Sequence, residues 1–323
     1  MNFKTGIGKP GVAFAILIAF AMCVLSVIFH PVETSHVSYG LCLPSPEVWK
    51  IPRVGSWAIN TAVFAGIVVL LFLLNKTYHF VRTTEPALIA LFLVIGASIP
   101  WFTQQLNTSM LLCIANVICL GIIFSSFDTH NATQQMFILG VVVGIGAMFQ
   151  YAFVPMAVVY FLWALFMKVL RPREILAYLI GIICPYWITI GFGWIRFSDF
   201  QAPALIPLFN TSQDHSELII LLVAFGVATI VGFIVTIINS MKLYAGNIKV
   251  NAMNLCVSTL GAACAFCAII DYENLPAYIM SLFLACCVQF ANICALWNPK
   301  MPWTVTAVPS LFYIALFVLS IVF

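Results

Sequence analysis

Charge is what this chain has least of. Only 7% of its 323 residues are Asp, Glu, Lys or Arg, against 63% hydrophobic, and mean hydropathy is +1.11. A soluble globular chain carries about 25% charged residues, so this composition excludes one. Polar linkers are missing too. No soluble-sized segment interrupts the apolar runs, so 1–323 reads as one membrane domain despite a length that would suit two soluble ones. Histidine is scarce, five in all, and the net charge of +3 is too small to suggest nucleic acid as a partner. The eleven cysteines are scattered through apolar runs, and only Cys42 falls in an expected exported loop, so no disulfide framework is implied.

What is present is a series of apolar runs separated by short polar turns. One turn organises the rest: Lys168-Val169-Leu170-Arg171-Pro172-Arg173-Glu174 sets three cations between two long apolar stretches. Each would cost ~2.5 to 3.5 kcal/mol at the centre of a span, so the turn is wet. Short loops rich in Lys and Arg stay cytoplasmic, which orients the neighbouring runs. Eleven runs then alternate across the bilayer: about 11–29, 57–74, 86–100, 110–124, 136–150, 156–166, 175–194, 217–238, 252–270, 276–297 and 304–323. The first reads as an uncleaved span, because no small-x-small site follows it. The fold class expected is therefore all-α polytopic, about eleven transmembrane helices, with the amino end cytoplasmic and the carboxyl end periplasmic. Segments 30–56 and 195–216 are the main periplasmic loops. Pro185, inside the seventh run, predicts a kink.

The cations support this threading. Ten of the thirteen, Lys4, Lys9, Lys76, Arg82, Lys168, Arg171, Arg173, Lys242, Lys249 and Lys300, fall on the expected inner side, against Lys50, Arg53 and Arg196 outside. Acids lean the other way, with Glu33, Glu47, Asp199, Asp214, Glu217, Asp271 and Glu273 outside. The short loops of 101–155 carry no cation, so the threading is least constrained there.

Inside the runs no charge reaches the middle, which removes the usual mark of an ion pathway. Asn60, Asn116, Gln289 and Asn292 are the intramembrane polar residues, expected to hydrogen-bond helix to helix. Gly140 and Gly144 form a small-xxx-small pair that would let another helix approach closely. Cys264 and Cys267 make a Cys-x-x-Cys, but among alanines in an apolar run they read as small packing residues.

Several motifs resemble a known family. The stretches Gln134-Gln135-Met136-Phe137-Ile138-Leu139-Gly140, Gly144-Ile145-Gly146-Ala147-Met148-Phe149, Arg171-Pro172-Arg173-Glu174 and Gly181-Ile182-Ile183-Cys184-Pro185-Tyr186, with the earlier Leu74-Asn75-Lys76 turn, are similar to multi-span inner-membrane proteins of bacteroidetes. That family is a domain of unknown function. The resemblance covers roughly residues 60 to 190 and implies an envelope protein of a Gram-negative cell, in the bacterial inner membrane. It carries no catalytic residues over. Such families sometimes bear a carotenoid-oxygenase label, which implies four histidines around one iron. Here His30, His36 and His215 lie outside and His79 and His130 inside, so they cannot converge. Neither a metal nor a cofactor is expected.

The strongest candidate surface is exterior. Glu33, His36, Glu47, Lys50 and Arg53 in the first loop could meet Arg196, Asp199, Asp214 and His215 in the loop after the seventh run. Carboxylates act as general bases and Arg holds phosphate by paired hydrogen bonds, so Glu33, Arg53, Arg196 and Asp214 are the candidate catalytic set. An acid just after the first span is similar to the membrane glycosyltransferases that use polyprenyl-linked sugars, whose catalytic acid would correspond to Glu33. Two readings stay open. One is a non-catalytic envelope biogenesis or assembly component, whose partners are the lipid bilayer and other envelope proteins. The other is a transferase acting at the periplasmic face on a polyprenyl-phosphate-linked sugar or lipid. A transporter is third and would need a polar cavity.

Overall fold

The computed structural model describes residues 9–29, 40–49, 51–81, 85–129, 131–201, 216–242, 248–296 and 302–322. A helix stands on each of the eleven apolar stretches: α1 (Lys9–Phe29), α2 (Arg53–Tyr78), α3 (Glu85–Ala97), α5 (Thr108–Ser125), α6 (Thr133–Phe149), α7 (Met156–Phe166), α8 (Pro172–Gly191), α9 (Ser216–Lys242), α10 (Ile248–Ile270), α11 (Leu275–Leu296) and α12 (Pro302–Val322). Seven are long and apolar enough to cross a membrane, and no strand occurs among the described residues. The chain is an all-α multi-pass membrane protein.

One element was not expected. The uncharged stretch after Pro100 is not simply a loop: Pro100–Gln104 forms a short helix, α4, after a break at Ser98 and Ile99. Pro100 suits a first helical position because its missing N–H has no acceptor there. At 13 residues α3 reaches only ~20 Å, short of a ~30 Å hydrocarbon core. Irregular backbone at such depth survives only when protein surrounds it, and residues 91–100 are all buried. The break is also bonded. Gln104 Nε2 donates to the Ser26 carbonyl (2.7 Å), Asn60 Nδ2 to the Phe102 carbonyl (2.6 Å), and Leu106 N–H to Ser56 Oγ (2.8 Å).

The helix α1 shows how little of an outer helix must be buried. Ala15, Ala19, Met22, Cys23 and Ser26 form one buried stripe towards α3 and α4, while Phe14, Leu17, Phe20 and Ile28 are exposed. By contrast, α11 is enclosed almost completely by α3, α5, α9, α10 and α12. It is the central post of the bundle.

Hydrogen bonds between distant segments sort the helix ends into two groups. At one end lie Gly40–Trp49, Gln105–Asn107, Gln150–Phe153, Arg196–Gln201 and Asp271–Asn274, joined by Leu41 N–H to the Ala147 carbonyl (3.0 Å), Gln201 N–H to the Leu41 carbonyl (3.0 Å) and Gln150 Nε2 to Asn274 Oδ1 (2.7 Å). At the other lie the turns after α2, α5 and α7 and the start of α10, joined by Asp128 N–H to the Met167 carbonyl (3.1 Å) and Asn254 Nδ2 to the Phe80 carbonyl (3.2 Å). Successive helices run between the two ends. Lys168, Arg171 and Arg173 belong to the second end, and Lys249 lies about 6 Å from the rings of Tyr78 and Phe127 there.

The tightest seam is α6 against α8, and it is made of glycine. A Cβ on Gly140 would fall on the Tyr178 carbonyl oxygen, and one on Gly181 on the Phe137 carbonyl oxygen. The small-xxx-small reading of Gly140 and Gly144 therefore holds, with Gly181 as the opposing residue. The helix α8 continues through Pro185, whose ring lies over Gly144.

Candidate functional site

Two kinds of polar residue must be separated here: those that hold helices together and those at the first end of the bundle. The four polar residues expected inside the runs belong to the first kind, and so do Asn239 in α9 and Asn254 in α10, both buried and bonded to α11. Asn60 bonds to α4 as above; Asn116 donates to Ser281 Oγ (2.9 Å) and accepts from Tyr160 (2.7 Å); Gln289 donates to Ser258 Oγ (2.9 Å); and Asn292 donates to Asn254 Oδ1 (2.8 Å). Every one ties two or more helices, as expected. Since Asn116, Tyr160 and Ser281 are all buried, Asn116→Leu leaves two hydroxyls without their partner, about 1 to 3 kcal/mol each at the buried limit. A lower melting temperature in detergent is expected, partly recovered in N116L/Y160F because one orphan is then removed. No recovery would mean that cavity shape, not hydrogen bonding, dominates there.

The first end of the bundle is built around the segment 40–49. Its prolines keep it out of a long helix, as expected, and leave one 3-10 turn at Pro46–Val48. Gly40 sits so close to the end of α6 that a Cβ would meet the Met148 carbonyl oxygen. Leu41 and Leu43 N–H groups then satisfy the last carbonyls of that helix, Ala147 at 3.0 Å and Met148 at 2.9 Å. Further along, the Glu47 carboxylate accepts from Thr108 N–H (3.3 Å) at the start of α5, where a negative charge meets the positive end of the helix dipole. Trp49 packs edge-on against Phe149 at 5.7 Å.

The loop after α8 reaches the same place. Besides the Gln201 to Leu41 bond, Tyr151 Oη donates to the Gln201 carbonyl (2.7 Å). Burial, then the Asp199 carboxylate, push the Cys42 thiol up. The two loops thus touch through backbone at Leu41 and Gln201. Of the four candidate catalytic residues, Glu33 and Asp214 lie outside the described residues. Arg53 opens α2 and is exposed; Arg196 is exposed too, its N–H held by the Asp199 carboxylate at 2.9 Å in a small turn. Among the described residues no group of three or more His, Cys, Asp or Glu is placed to hold a metal.

Residues that sequence reasoning missed make up the more organised part of this end. Asp271 Oδ2 accepts from Asn274 Nδ2 (2.8 Å), whose Oδ1 accepts from Gln150, and all three are buried. Their signal was available: each is a polar residue at a junction of apolar runs. Gln150 Oε1, Thr108 Oγ1 and Ser45 Oγ are buried with no hydrogen-bond partner among the described residues. Beside them opens a groove of about 390 Å³ lined by Thr108, Leu111, Ile118, Val142, Ile145 and Gln150, with Pro46 and Trp49 above. A second, wholly apolar cavity of about 210 Å³ lies between α3, α9, α11 and α12. Compared with known proteins, the chain matches no family model, no curated protein and no solved structure.

Proposed function

We propose that the chain crosses a bacterial inner membrane eleven times, amino end cytoplasmic and carboxyl end periplasmic, as a non-catalytic component of envelope biogenesis or assembly. The supporting observation is the use made of interior polarity. Asn60 and Asn116 each bind neighbouring helices, Gln289 and Asn292 join Asn239, Asn254 and Ser258 in a hydrogen-bonded cluster that ties α9, α10 and α11 together, and the two cavities described above are lined chiefly by apolar side chains. Such an interior favours a fixed scaffold over a transport path. The end with Lys168, Arg171, Arg173 and Lys249 is then cytoplasmic, and the end with Glu47, Asp199 and Asp271 periplasmic.

A second reading, a transferase for a polyprenyl-phosphate-linked sugar or lipid at the periplasmic face, is favoured by one observation. The first loop and the loop after α8 are joined at Leu41 and Gln201, so Arg53 and Arg196 belong to loops that share an end. Alanine at Glu33 and at Arg53, with protein abundance monitored, separates the two readings. The scaffold reading expects both variants to support growth like the parent at normal abundance. Loss of function at normal abundance would transfer the case to catalysis.

A further inference from the structure

We propose that the break between α3 and α4 holds one dehydrated alkali cation, Na⁺ or K⁺, on neutral oxygens; this site depends neither on the orientation nor on the scaffold reading above. The break leaves carbonyls without donors. Pro100 has no N–H for the Gly96 carbonyl, and the Ala97 and Ser98 carbonyls receive no hydrogen bond among the described residues, because Ser98 N–H turns back to Ile95 (3.2 Å) and Phe102 N–H to Ile99 (3.1 Å). Ala97 is 0% and Ser98 1% exposed, so these oxygens are enclosed by protein.

Side chains bring further oxygens to the same level of the bundle. Gly96 lies against the Phe64 ring of α2, and Asn60, one turn back along that helix, donates Nδ2 to the Phe102 carbonyl (2.6 Å). From the α1 side, Gln104 Nε2 donates to the Ser26 carbonyl (2.7 Å). Both amides thus turn their nitrogens to protein. Asn60 Oδ1 and Gln104 Oε1 stay buried without a partner, in residues only 1% and 3% exposed, and an amide oxygen, unlike a hydroxyl, can only accept. Three backbone and two amide oxygens, beside the negative end of a helix dipole, select a positive ligand. Interrupted membrane helices coordinate Na⁺ in this way, with unwound carbonyls and half-helix C-terminal ends. The charge of the ligand follows from what is missing nearby. Neither α1, α2 nor residues 86–104 contain an Asp or Glu, whereas Ca²⁺ and Mg²⁺ sites are built on carboxylates. A single cation there ties α1 and α2 to the interrupted helix.

The test melts the full chain in detergent, dialysed into choline chloride, as NaCl or KCl replaces choline at constant ionic strength. At least one of the two ions is expected to raise the melting temperature saturably, by ~3 °C at ~10 times its dissociation constant. The ion that acts at lower concentration is the one the site prefers. Gln104→Met and Asn60→Ala each remove one oxygen and should raise the ion concentration for half of the shift about tenfold. Asn116→Leu, which removes a buried amide elsewhere in the bundle, should melt lower yet keep the whole cation shift. If one of the two oxygen-removing variants does not fold, the other and the wild-type curves decide. Identical wild-type curves in choline, Na⁺ and K⁺ would show that only water meets these oxygens, and would overturn the site whatever the variants do. An undiminished shift in Gln104→Met and Asn60→Ala would put the ion elsewhere and overturn it equally.

Discussion

Leucine at Gly181 is expected to detach α8 from the bundle and to lower the yield of folded protein severalfold. Backbone lies on both sides of this seam: Gly181 faces the Phe137 carbonyl, Gly140 the Tyr178 carbonyl and Gly144 the Ile182 carbonyl. A side chain there meets main-chain atoms that cannot rotate away, so the helices themselves must part. Even the single methyl of Gly181→Ala should cost ~1 to 3 kcal/mol by overpacking. The loss is severe because α8 has little else to hold it. Its principal partner is α6, and Leu176, Leu179, Ile180, Ile183 and Trp187 point outward. Gly191→Ala is the matched control, since nothing lies within 4 Å of the added methyl. Melting in detergent should rank wild type with G191A, then G181A, then G181L. Equal stability of all four would show that the glycine contact is dispensable.

A reporter active only outside the cytoplasm is expected to be strongly active when fused after Asp199 and silent when fused after Arg173. This outcome is nearly all or none, because one helix separates the two sites and three cations anchor one of them. Dragging Lys168, Arg171 and Arg173 through hydrocarbon would cost ~2.5 to 3.5 kcal/mol each at the midplane. The structure already places their turn at the end opposite Leu41 and Gln201, with Asp128 and Lys249 at the same end. Activity from both fusions, or from neither, would refute the orientation and with it the periplasmic placement of Glu33, Arg53, Arg196 and Asp214.

Helix positions were legible because apolar length and turn composition are local quantities. Each of the eleven apolar stretches carries a helix, and Gly140 with Gly144 announced a close approach before its partner was known. Asn60, Asn116, Gln289 and Asn292 announced themselves in the same way, as polar groups in surroundings that demand a partner. The short α3 and the break before α4 were not legible. Hydropathy counts apolar residues and is blind to which of them face protein, so a buried broken helix and an ordinary span look alike. Nor was the chain Gln150–Asn274–Asp271 visible, because its members lie 124 and 3 residues apart and only helix packing brings them together.

By itself, the sequence determined that this protein lives in a membrane, where its helices lie and which turns must stay wet, since the cost of placing charge or open backbone in hydrocarbon depends on residue type alone. Only the tertiary structure decided that Gly181 is the partner of Gly140, that α11 is the enclosed post, and that the first loop closes over Ala147 and Met148 beside a groove along α5 and α6. Those are pairings between distant segments, set by which surfaces fit at contact distance, and no composition or spacing along the chain encodes that fit.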